Sequence, residues 1–314
     1  MSGDIVDEYK EGKTVLCPDG NGVCVTLKDT DDITGCLPLS RLGEIVRNFS
    51  KFPLRKDDIF LTASMKSGTH LVWEIATMLT MDVTELTDLP KQASMIEAIT
   101  DEALESLPSP RVLNSHFPEW MYPKQALREN KFLHVIRNPK DTFVSLYYMF
   151  YGLKIFDYHG TWDGFFEFMM ARQNKGLDPL EYNDWPVNVL SWYNLSKTNP
   201  NILNVYFEDL IEDPVPQIKR IAEHIGFTKD QATYEKIAQA TNFKSMSQNK
   251  KVRGLNLQFN TPTSKHWKED SVGMYRKGKV GDWKNHFTVA QNERFDALYR
   301  QWTQGTDLNV RFEI

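Results

Sequence analysis

The residues Ile59-Phe60-Leu61-Thr62-Ala63-Ser64-Met65-Lys66-Ser67-Gly68-Thr69 form an apolar run followed by a polar loop. The apolar and β-branched run over 59–63 predicts a buried strand. The spacing of apolar residues after the loop predicts an amphipathic helix that continues to about Leu79. A loop between a buried strand and a helix directs backbone N–H groups and the positive helix end outward. This stretch therefore predicts an anion site.

The loop carries the residue types that an anion site needs. Lys66 supplies charge, Ser67 and Thr69 supply hydroxyl groups, and Gly68 permits a close approach of the backbone. In nucleoside-triphosphate hydrolases the order is G-x-x-x-x-G-K-S/T, whereas here the lysine precedes the glycine and the first glycine is absent. The order disfavours magnesium-dependent ATP hydrolysis and a nucleotide kinase.

Further strand patterns follow at Arg111 to Ser115, Lys131 to Ile136 and Ile202 to Phe207. Helical patterns separate them, including one that begins near Pro139, a residue suited to a first helical turn. Asp213 precedes another such helix, which continues to Ile225. This alternation predicts an α/β fold with a central parallel sheet flanked by helices.

The length of 314 residues fits one large α/β domain, which we place at residues 36–314. Residues 1–35 are polar, with turn signals around Asp19 to Gly22. We interpret them as an N-terminal extension, either loosely ordered or folded into a small hairpin. Cys17, Cys24 and Cys36 have spacings that fit no zinc pattern, so that no metal site is expected there.

The net charge of −5 argues against a nucleic-acid partner, because such proteins carry a basic excess or stripe. No apolar run approaches the ~20 residues that span a bilayer, and the first residues are acidic where a signal peptide would be basic. We therefore expect a cytoplasmic protein without a membrane partner.

A second anion segment, Arg137-Asn138-Pro139-Lys140-Asp141-Thr142-Phe143-Val144-Ser145, begins at a predicted strand end and enters a helix. The guanidinium of Arg137 has the geometry to bind a phosphate, and Ser145, about two turns into the helix, has the reach to contact the same group. In isolation, an ion pair between Arg137 and a nearby carboxylate is an equally good interpretation.

Near the C-terminus, the chain reads Arg276-Lys277-Gly278-Lys279-Val280-Gly281-Asp282-Trp283-Lys284-Asn285. This run matches the R-K-G-x-x-G-D-W-K signature of the cytosolic sulfotransferase family. The loop at Lys66 resembles the family's 5'-phosphosulfate loop, and the segment from Arg137 to Ser145 resembles its 3'-phosphate segment. The resemblance covers roughly residues 35 to 310.

The resemblance implies a P-loop-like sulfotransferase fold and the donor 3'-phosphoadenosine 5'-phosphosulfate (PAPS), whose desulfated product is PAP. No metal is required, because lysine, arginine and backbone amides meet the negative charge of the donor. The resemblance assigns the 5' end to Lys66, Ser67, Gly68, Thr69, His70 and Leu71, the 3'-phosphate to Arg137, Ser145, Arg276, Lys277 and Gly278, and the nucleoside to Thr241, Phe243 and Met246.

His116 follows the predicted strand at Arg111, and a histidine past the carboxyl end of such a strand faces the ligand crevice. Its position matches the family's T-H-x-P element, whose histidine is the catalytic base. The resemblance therefore implies that His116 accepts the proton of the acceptor hydroxyl. It further implies that Lys66 stabilises charge on the departing oxygen and that Ser145 restrains Lys66 until the acceptor binds.

The chain departs from the family pattern at three positions. Asn114 stands where the family usually has a lysine that contacts the sulfonyl region, and Leu71 stands where the family has a tryptophan that stacks on adenine. Trp73 lies about 200° further around the helix than Leu71, so that it cannot simply substitute. Phe207 replaces a tyrosine near the adenine, and Tyr206 points to the opposite face of the strand.

Aromatic residues cluster in the region where the family builds its acceptor pocket, which predicts a small phenol, steroid, other alcohol or amine as acceptor. Two segments, 151–161 and 244–271, are predicted lids. Lys284, Thr288, Val289 and Glu293 fit the family's dimerisation pattern and predict a homodimer, while an ordinary helix entry with Thr288 as N-cap is the alternative.

Two other functions compete with this one. A glycan or protein-tyrosine sulfotransferase shares the phosphate sites but normally has an N-terminal membrane anchor, which this sequence does not show. A non-catalytic or weakly active PAP-binding protein of the same fold is permitted by Asn114, Leu71 and Phe207.

Overall fold

A computed structural model describes residues 13–29, 42–87, 89, 91–173, 184–248 and 267–314 of the chain. Strands β1 (Lys13–Pro18) and β2 (Cys24–Asp29) form an antiparallel hairpin. Four parallel strands form the central sheet in the order β4-β3-β5-β6. Their bounds are β3 (Ile59–Thr62), β4 (Val112–Ser115), β5 (Lys131–Ile136) and β6 (Ile202–Tyr206).

The predicted strands are confirmed to within one residue at their ends. β5 has the predicted bounds, whereas β6 ends one residue early because Phe207 begins a helix. The α-helices of the described residues are α1 (Leu42–Asn48), α2 (Thr69–Met81), α3 (Asp101–Ser106), α4 (Lys124–Glu129), α5 (Pro139–Gly152), α6 (Trp162–Gln173), α7 (Trp185–Ser196), α8 (Phe207–Glu212), α9 (Pro214–Ile225), α10 (Gln231–Ala240), α11 (Phe243–Gln248) and α12 (Val289–Thr303).

Both faces of the sheet are buried, because successive strand residues point to opposite sides. Leu61 and Leu133 pack on one face with α2, α9 and α10. Phe60 and Phe132 pack on the other face, where Trp192 of α7 covers them. The predicted fold class, a central parallel sheet flanked by helices, is therefore confirmed.

The N-terminal hairpin is folded against the main domain. Its inward residues Val25 and Leu27 are buried in one cluster with Phe156 and Tyr158. The hydroxyl of Tyr158 donates to Oδ2 of Asp19 at 2.7 Å. Of the two interpretations of the extension, the hairpin is the one observed for residues 13–29, and the expected boundary at 35/36 lies outside the described residues.

The topology opens a ligand crevice at the carboxyl ends of β3 and β5. Strand β3 pairs with β4 on one side and with β5 on the other, so that the chain reverses direction across the sheet at β3. In open α/β sheets, ligands bind at such a switch point. None of the helices in the described ranges is long and apolar enough to cross a bilayer.

Candidate active site

The loop after β3 turns sharply into α2 at Gly68. Gly68 is the N-cap residue with φ of 102°, and Lys66 also has a positive φ of 63°. A Cβ atom on Gly68 would overlap the ring of Phe207, so that glycine is needed here for space as well as for conformation. The hydroxyls of Ser64 and Ser67 lie 2.8 Å apart within the buried loop. These contacts fix the loop that presents the first amides of α2.

The ammonium group of Lys66 lies among other cations. Its Nζ atom is 3.5 Å from Sδ of Met274. Burial lowers the pKa of Lys66 to about 7, and the charges of Arg137, Lys91 and Arg276 lower it in the same direction. The site is therefore strongly positive before any anion enters.

The residues after Gly68 lie in the first turn of α2. Thr69 is buried, His70 and Leu71 are half-buried, and Leu71 packs against the apolar cluster under the sheet. The indole of Trp73 is buried and donates to Oγ of Ser94 at 2.8 Å and to the carbonyl of Val112 at 3.1 Å. These bonds hold Trp73 in the core, as its helical position predicted.

The corner after β5 carries Arg137. Its Nη1 atom donates to the carbonyl oxygen of Lys66 at 2.9 Å, and its guanidinium lies 4.5 Å over the ring of Phe207. Its buried Nε–H has no acceptor among the described residues. A buried guanidinium with an unused donor is suited to a phosphate. The bonds observed go to a backbone carbonyl and a ring, whereas the alternative interpretation expected a carboxylate partner.

Two buried side chains hold this corner in place. Oε1 of Glu208 accepts from the backbone N–H and the side-chain amide of Asn138, at 2.9 and 3.2 Å. The indole N–H of Trp185 donates to the carbonyl of Arg137 at 2.8 Å. Asn138 also caps α5 through the N–H of Asp141. The sequence analysis gave Glu208 and Trp185 no role here, because the residues that position the corner lie far away in sequence.

The segment from Arg276 to Asp282 lies beside the same helix end. Asp141 joins the two, because its carboxylate accepts from the backbone N–H groups of Gly281 and Trp283 at 2.8 and 2.9 Å. Arg276 and Lys277 both form ion pairs with Asp282. Burial raises the pKa of Asp282, but the hydrogen bonds from Lys277, Arg276 and Asn285 lower it more strongly, to about 2.

The arginine of this segment also has an unused donor. The guanidinium of Arg276 lies 4.8 Å over the ring of Tyr148, and its buried Nε has no acceptor among the described residues. Gly278 has φ of 61°, and a Cβ atom there would overlap the ring of Phe243. Burial lowers the pKa of Arg137, and the nearby charge of Arg276 lowers it further. Together the two arginines form one cationic pocket.

The remaining residues of the predicted set are Thr241, Met246 and Ser145. Thr241 is buried at the end of α10 and donates to the carbonyl of Ile237 at 2.8 Å. Met246 is buried in α11, beside the half-exposed Phe243. Ser145 is half-buried in α5. The ammonium of Lys66 contacts Met274, so that the restraint of Lys66 by Ser145 stays a prediction.

His116 follows β4, and a hydrogen bond defines the tautomer of its ring. Its Nδ1 atom lies 2.8 Å from the carbonyl oxygen of Ala63. Because a carbonyl oxygen can only accept, Nδ1 carries the proton and Nε2 is left with its lone pair. The backbone N–H of His116 donates to Oε1 of Glu97 at 2.5 Å, and its carbonyl accepts from Asn188 at 3.0 Å.

The ring is held neutral by its surroundings. Burial lowers the pKa of His116 to about 3, and the charges of Lys91 and Lys66 act in the same direction against the hydrogen bond to Ala63. A neutral imidazole with a bare Nε2 is the form that accepts a proton. The site thus combines a cationic pocket with a neutral imidazole at the same end of the sheet.

Comparison with known proteins identifies the family. The family model described as Sulfotransferase domain matches residues 56–307. This chain belongs to the sulfotransferase family. It is 32% identical to bovine sulfotransferase 1A1 over 290 residues, which cover 88% of this chain and 94% of the relative. It is 31% identical to human sulfotransferase 1C2 over 280 residues, which cover 84% and 88% of the two chains.

Solved structures agree with this assignment. Mouse sulfotransferase SULT7A1 complexed with PAP superposes with a TM-score of 0.67 at 28% identity, over 86% of this chain and 93% of that one. Retinol dehydratase complexed with retinol and PAP superposes with a TM-score of 0.73 at 17% identity, over 99% and 97%, and shows the fold alone. The protein is a PAPS-dependent sulfotransferase.

The residues of this sulfotransferase fit a nucleotide with two anionic ends. The loop at Lys66 and the pocket of Arg137 and Arg276 are two cationic groups, joined by the bond from Arg137 to the carbonyl of Lys66. The unused Nε donors of both arginines lie in the second group. Buried donors of this kind are suited to a second phosphate group.

The sulfotransferase site contains two charged residues that the sequence analysis missed. Lys91 is 6% exposed, and Glu97, which bonds the backbone of His116, is fully buried. Both lie between α2 and β4 in a segment without a helical or strand period, so that no periodic signal pointed to them. The amide of Asn114 donates to the carbonyl of Lys91 at 2.9 Å. Asn114 is thus a structural anchor in this chain.

Many of the clustered aromatic residues that predicted an acceptor pocket lie in α5, α6 and the connection between them. Tyr147 and Tyr148 are half-buried, and the hydroxyl of Tyr148 lies 2.9 Å from Nε2 of His286. Phe150 and Phe156 are buried and stacked at 4.1 Å, so that they belong to the core. Of the predicted lids, 151–161 is packed under Trp267 and Lys268, and most of 244–271 lies outside the described residues.

The predicted dimer segment begins α12. Thr288 is its N-cap and forms a capping box with Gln291, as the alternative interpretation expected. Lys284 pairs with Glu313 at 2.7 Å. Val289 is 77% exposed, and Glu293 is exposed beside it. The cap explains Thr288 but not why a valine faces solvent.

Proposed function

We propose that this sulfotransferase transfers the sulfonyl group of PAPS to the hydroxyl or amine of a small apolar or aromatic acceptor, with His116 as general base. The bond between Nδ1 of His116 and the carbonyl of Ala63 carries the proposal, because it leaves Nε2 as the proton acceptor. Ala63 directly precedes the loop of Lys66, so that the base is tied to the donor site.

The donor is held at its two anionic ends. In this proposal Lys66, Ser67, Gly68 and Thr69 hold the 5' end through charge, hydroxyls and the first amides of α2. The 3'-phosphate is held by the pocket of Arg137 and Arg276, with Ser145, Lys277 and Gly278 beside it, and the nucleoside by Thr241, Phe243 and Met246. His70 and Leu71 complete the first turn of α2. The unused Nε donors of the two arginines support this assignment.

His116 removes the proton from the acceptor as the acceptor oxygen attacks sulfur. The new O–S bond forms while the bond from sulfur to the bridging phosphate oxygen breaks, the proton goes to Nε2, and PAP leaves. Lys66 stabilises the negative charge that develops on the departing oxygen. The catalysis rests on positioning and on charge, as in phosphoryl transfer.

The acceptor class follows from the wall of half-buried aromatic rings. Tyr147 and Tyr148 present rings on the face of α5 that also carries the guanidinium of Arg276 against Tyr148. A pocket of rings with few polar groups takes an apolar or aromatic molecule. A cytosolic location and a homodimer through Lys284, Thr288, Val289 and Glu293 belong to the same proposal, and exposed Val289 supports the second.

The decisive experiment compares wild type with His116→Ala, using labelled PAPS and a panel of phenols, steroids, alcohols and amines. Calorimetry with PAP, and with ATP as control ligand, runs in parallel. We expect turnover of the variant to fall about 10²- to 10⁴-fold with PAP affinity unchanged, because a general base contributes that much and does not hold the nucleotide. Lys124→Ala, at an exposed residue of α4 outside the proposed site, is the control and keeps full turnover.

Other outcomes separate the alternatives. Wild type that binds PAP tightly but turns over no acceptor of the panel is a non-catalytic nucleotide-binding protein. Wild type that does not bind PAP has a donor site disabled by Leu71 and Phe207. Full turnover of the His116→Ala variant removes the histidine base from the mechanism while leaving the sulfotransferase intact.

A further inference from the structure

Residues 91–97 form a strap along the outer edge of β4. Met95 pairs with Asn114 as a parallel bridge, and the N–H of Ile96 donates to the carbonyl of Asn114 at 2.9 Å. The carbonyl of Lys91 accepts from the Asn114 amide at 2.9 Å and from the hydroxyl of Ser94 at 3.2 Å. The strap is therefore attached to β4 at both ends, through Lys91 and through Ile96.

Asn114, one of the departures from the family pattern, meets Trp73 at this strap. The indole of Trp73 and the amide of Asn114 both bind Oγ of Ser94, at 2.8 and 3.0 Å. Ahead of the strap, the N–H of Thr87 donates to Oε1 of the buried Glu74 at 2.6 Å. These buried polar groups have in common that they position the backbone from which the Lys91 side chain extends.

The Lys91 side chain is buried near the groups of the transfer site. Its charge acts on Lys66, on His70 and on His116, so that its ammonium lies within electrostatic reach of all three. The carboxylate of Glu97 raises the pKa of Lys91, but burial outweighs it and holds the value at about 8. A buried ammonium beside another lysine and two histidines is costly unless an anion enters the site.

We propose that Lys91 is a second cation of the transfer site, whose ammonium group binds the sulfonyl oxygens beside His116. The inference rests on the proposed function, since it assumes that His116 faces the transferring group. Geometry carries it: the Lys91 carbonyl is bound by Asn114, two residues before His116, and the backbone of His116 is bound by Glu97 of the same strap. Base and cation are thus held by one short segment.

The sulfonyl oxygens then have cations on two sides. Lys66 approaches from the loop after β3 and stabilises the departing bridging oxygen, while Lys91 approaches from the edge of β4. No bond changes at Lys91, which keeps its protons throughout. Its contribution grows as negative charge shifts within the group in transfer, because fixed charges in a dry site stabilise a developing charge without reorganising.

The test uses the full chain with Lys91→Met, Lys91→Arg and the exposed control Lys124→Met on α4. PAPS and PAP affinities are measured without acceptor, and kcat, KM and Tm are measured for each variant. We expect Lys91→Met to lose about 10- to 100-fold in kcat and about 10-fold in PAPS affinity, with PAP affinity within about twofold, because PAP lacks the sulfonyl group. Lys91→Arg retains part of the activity, and Lys124→Met behaves as wild type.

The melting temperature separates this role from a structural one. Replacing a desolvated cation by an apolar chain keeps or raises Tm, so that Lys91→Met is expected to be at least as stable as wild type. If Lys91 serves only to neutralise Glu97, Lys91→Met lowers Tm, and Glu97→Gln added to it restores both Tm and kcat. That result, an unchanged kcat, or equal losses of PAP and PAPS affinity would each overturn the proposal.

The affinity measurement also distinguishes this proposal from the proposed function. If wild type shows no turnover, the proposed function fails, while the difference between PAPS and PAP affinities still tests Lys91. If wild type turns over and Lys91→Met does so equally well, only the role of Lys91 fails.

Discussion

The donor side and the transfer side of this site are built in different ways. On the donor side, Arg137 and Arg276 are presented by contiguous motifs at strand and helix ends, and buried acids such as Asp141 hold those motifs together. On the transfer side, Glu97 binds the backbone of His116 and Asn114 binds the carbonyl of Lys91, and both Glu97 and Lys91 belong to a strap whose sequence has no clear helical or strand pattern. In the proposed function, the nucleotide is therefore bound by residues of short sequence motifs. The residues around the transferring group are brought together by tertiary contacts.

The two sides also differ in how their charges are balanced. Asp282 neutralises Arg276 and Lys277 through two ion pairs, so that the donor side holds its cations at low cost. Lys66 and Lys91 have pKa values lowered to about 7 and about 8, mainly by burial. The transfer side is therefore the part of the site whose charge changes near neutral pH.

Removing an arginine from the donor side is expected to have the largest effect on nucleotide binding. Arg137→Ala should weaken PAP binding by about 100-fold, because charge-assisted bonds to a buried phosphate are lost and the partner charge is left unpaired. Calorimetry measures the affinity. Arg294→Ala, which removes a guanidinium that pairs with Glu167 at the surface and lies over the ring of Phe166, is the matched control.

Loss of turnover without loss of PAP affinity in Arg137→Ala would contradict the donor-side assignment. The same series with Arg276→Ala tests whether the two guanidinium groups act as one pocket. Their double variant should then lose less than the sum of the single losses, because both hold one phosphate.

The donor side was also the easier one to predict from sequence. The corner at Arg137 and the signature at Arg276 each combine a local pattern with a short motif, and Asp141 brings the two together at the start of α5. Asp141, Glu208 and Trp185 could not be assigned from sequence, because their roles depend on bonds to backbone groups up to 142 positions away. Whether such a side chain is buried, and which group it bonds, depends on the tertiary structure.

The transfer side shows the same limit more strongly. From the sequence, His116 is predicted to follow β4, and Asn114 stands where the family usually has a lysine. Nothing in the sequence indicated that the amide of Asn114 would bind the carbonyl of a buried lysine. Nor did it show that Trp73, noted as displaced from the adenine, would hold the same strap through Ser94.

The pH dependence of binding is expected to be smaller, and it tests the charge of the transfer side. Lys66 has a depressed pKa of about 7, so that its ammonium is present below that pH and is lost as the pH rises. PAP binding should therefore weaken between pH 7 and 9, by at most about 10-fold per pH unit, and should take up protons. Calorimetry in buffers of different ionisation enthalpy measures that uptake.

Lys66→Met is the control for this linkage, because it removes one of the two lysines whose pKa is lowered into this range and should reduce the slope. The carboxylate of Asp282 does not produce it, because burial raises its pKa less than the hydrogen bonds from Lys277, Arg276 and Asn285 lower it, to about 2. An affinity independent of pH from 7 to 9 in wild type would show that the Lys66 ammonium does not meet the anion.

The smallest effect is expected at the start of α12. Thr288→Ala removes a capping box and should lower the free energy of unfolding by about 1 kcal/mol. Val289→Asp, at a side chain 77% exposed, should leave that stability unchanged and convert the proposed dimer to a monomer. Light scattering after size-exclusion chromatography, with thermal unfolding, measures both. A wild type that is monomeric at micromolar concentration would mean that exposed Val289 marks no interface between copies, and the cap at Thr288 alone would then account for the segment.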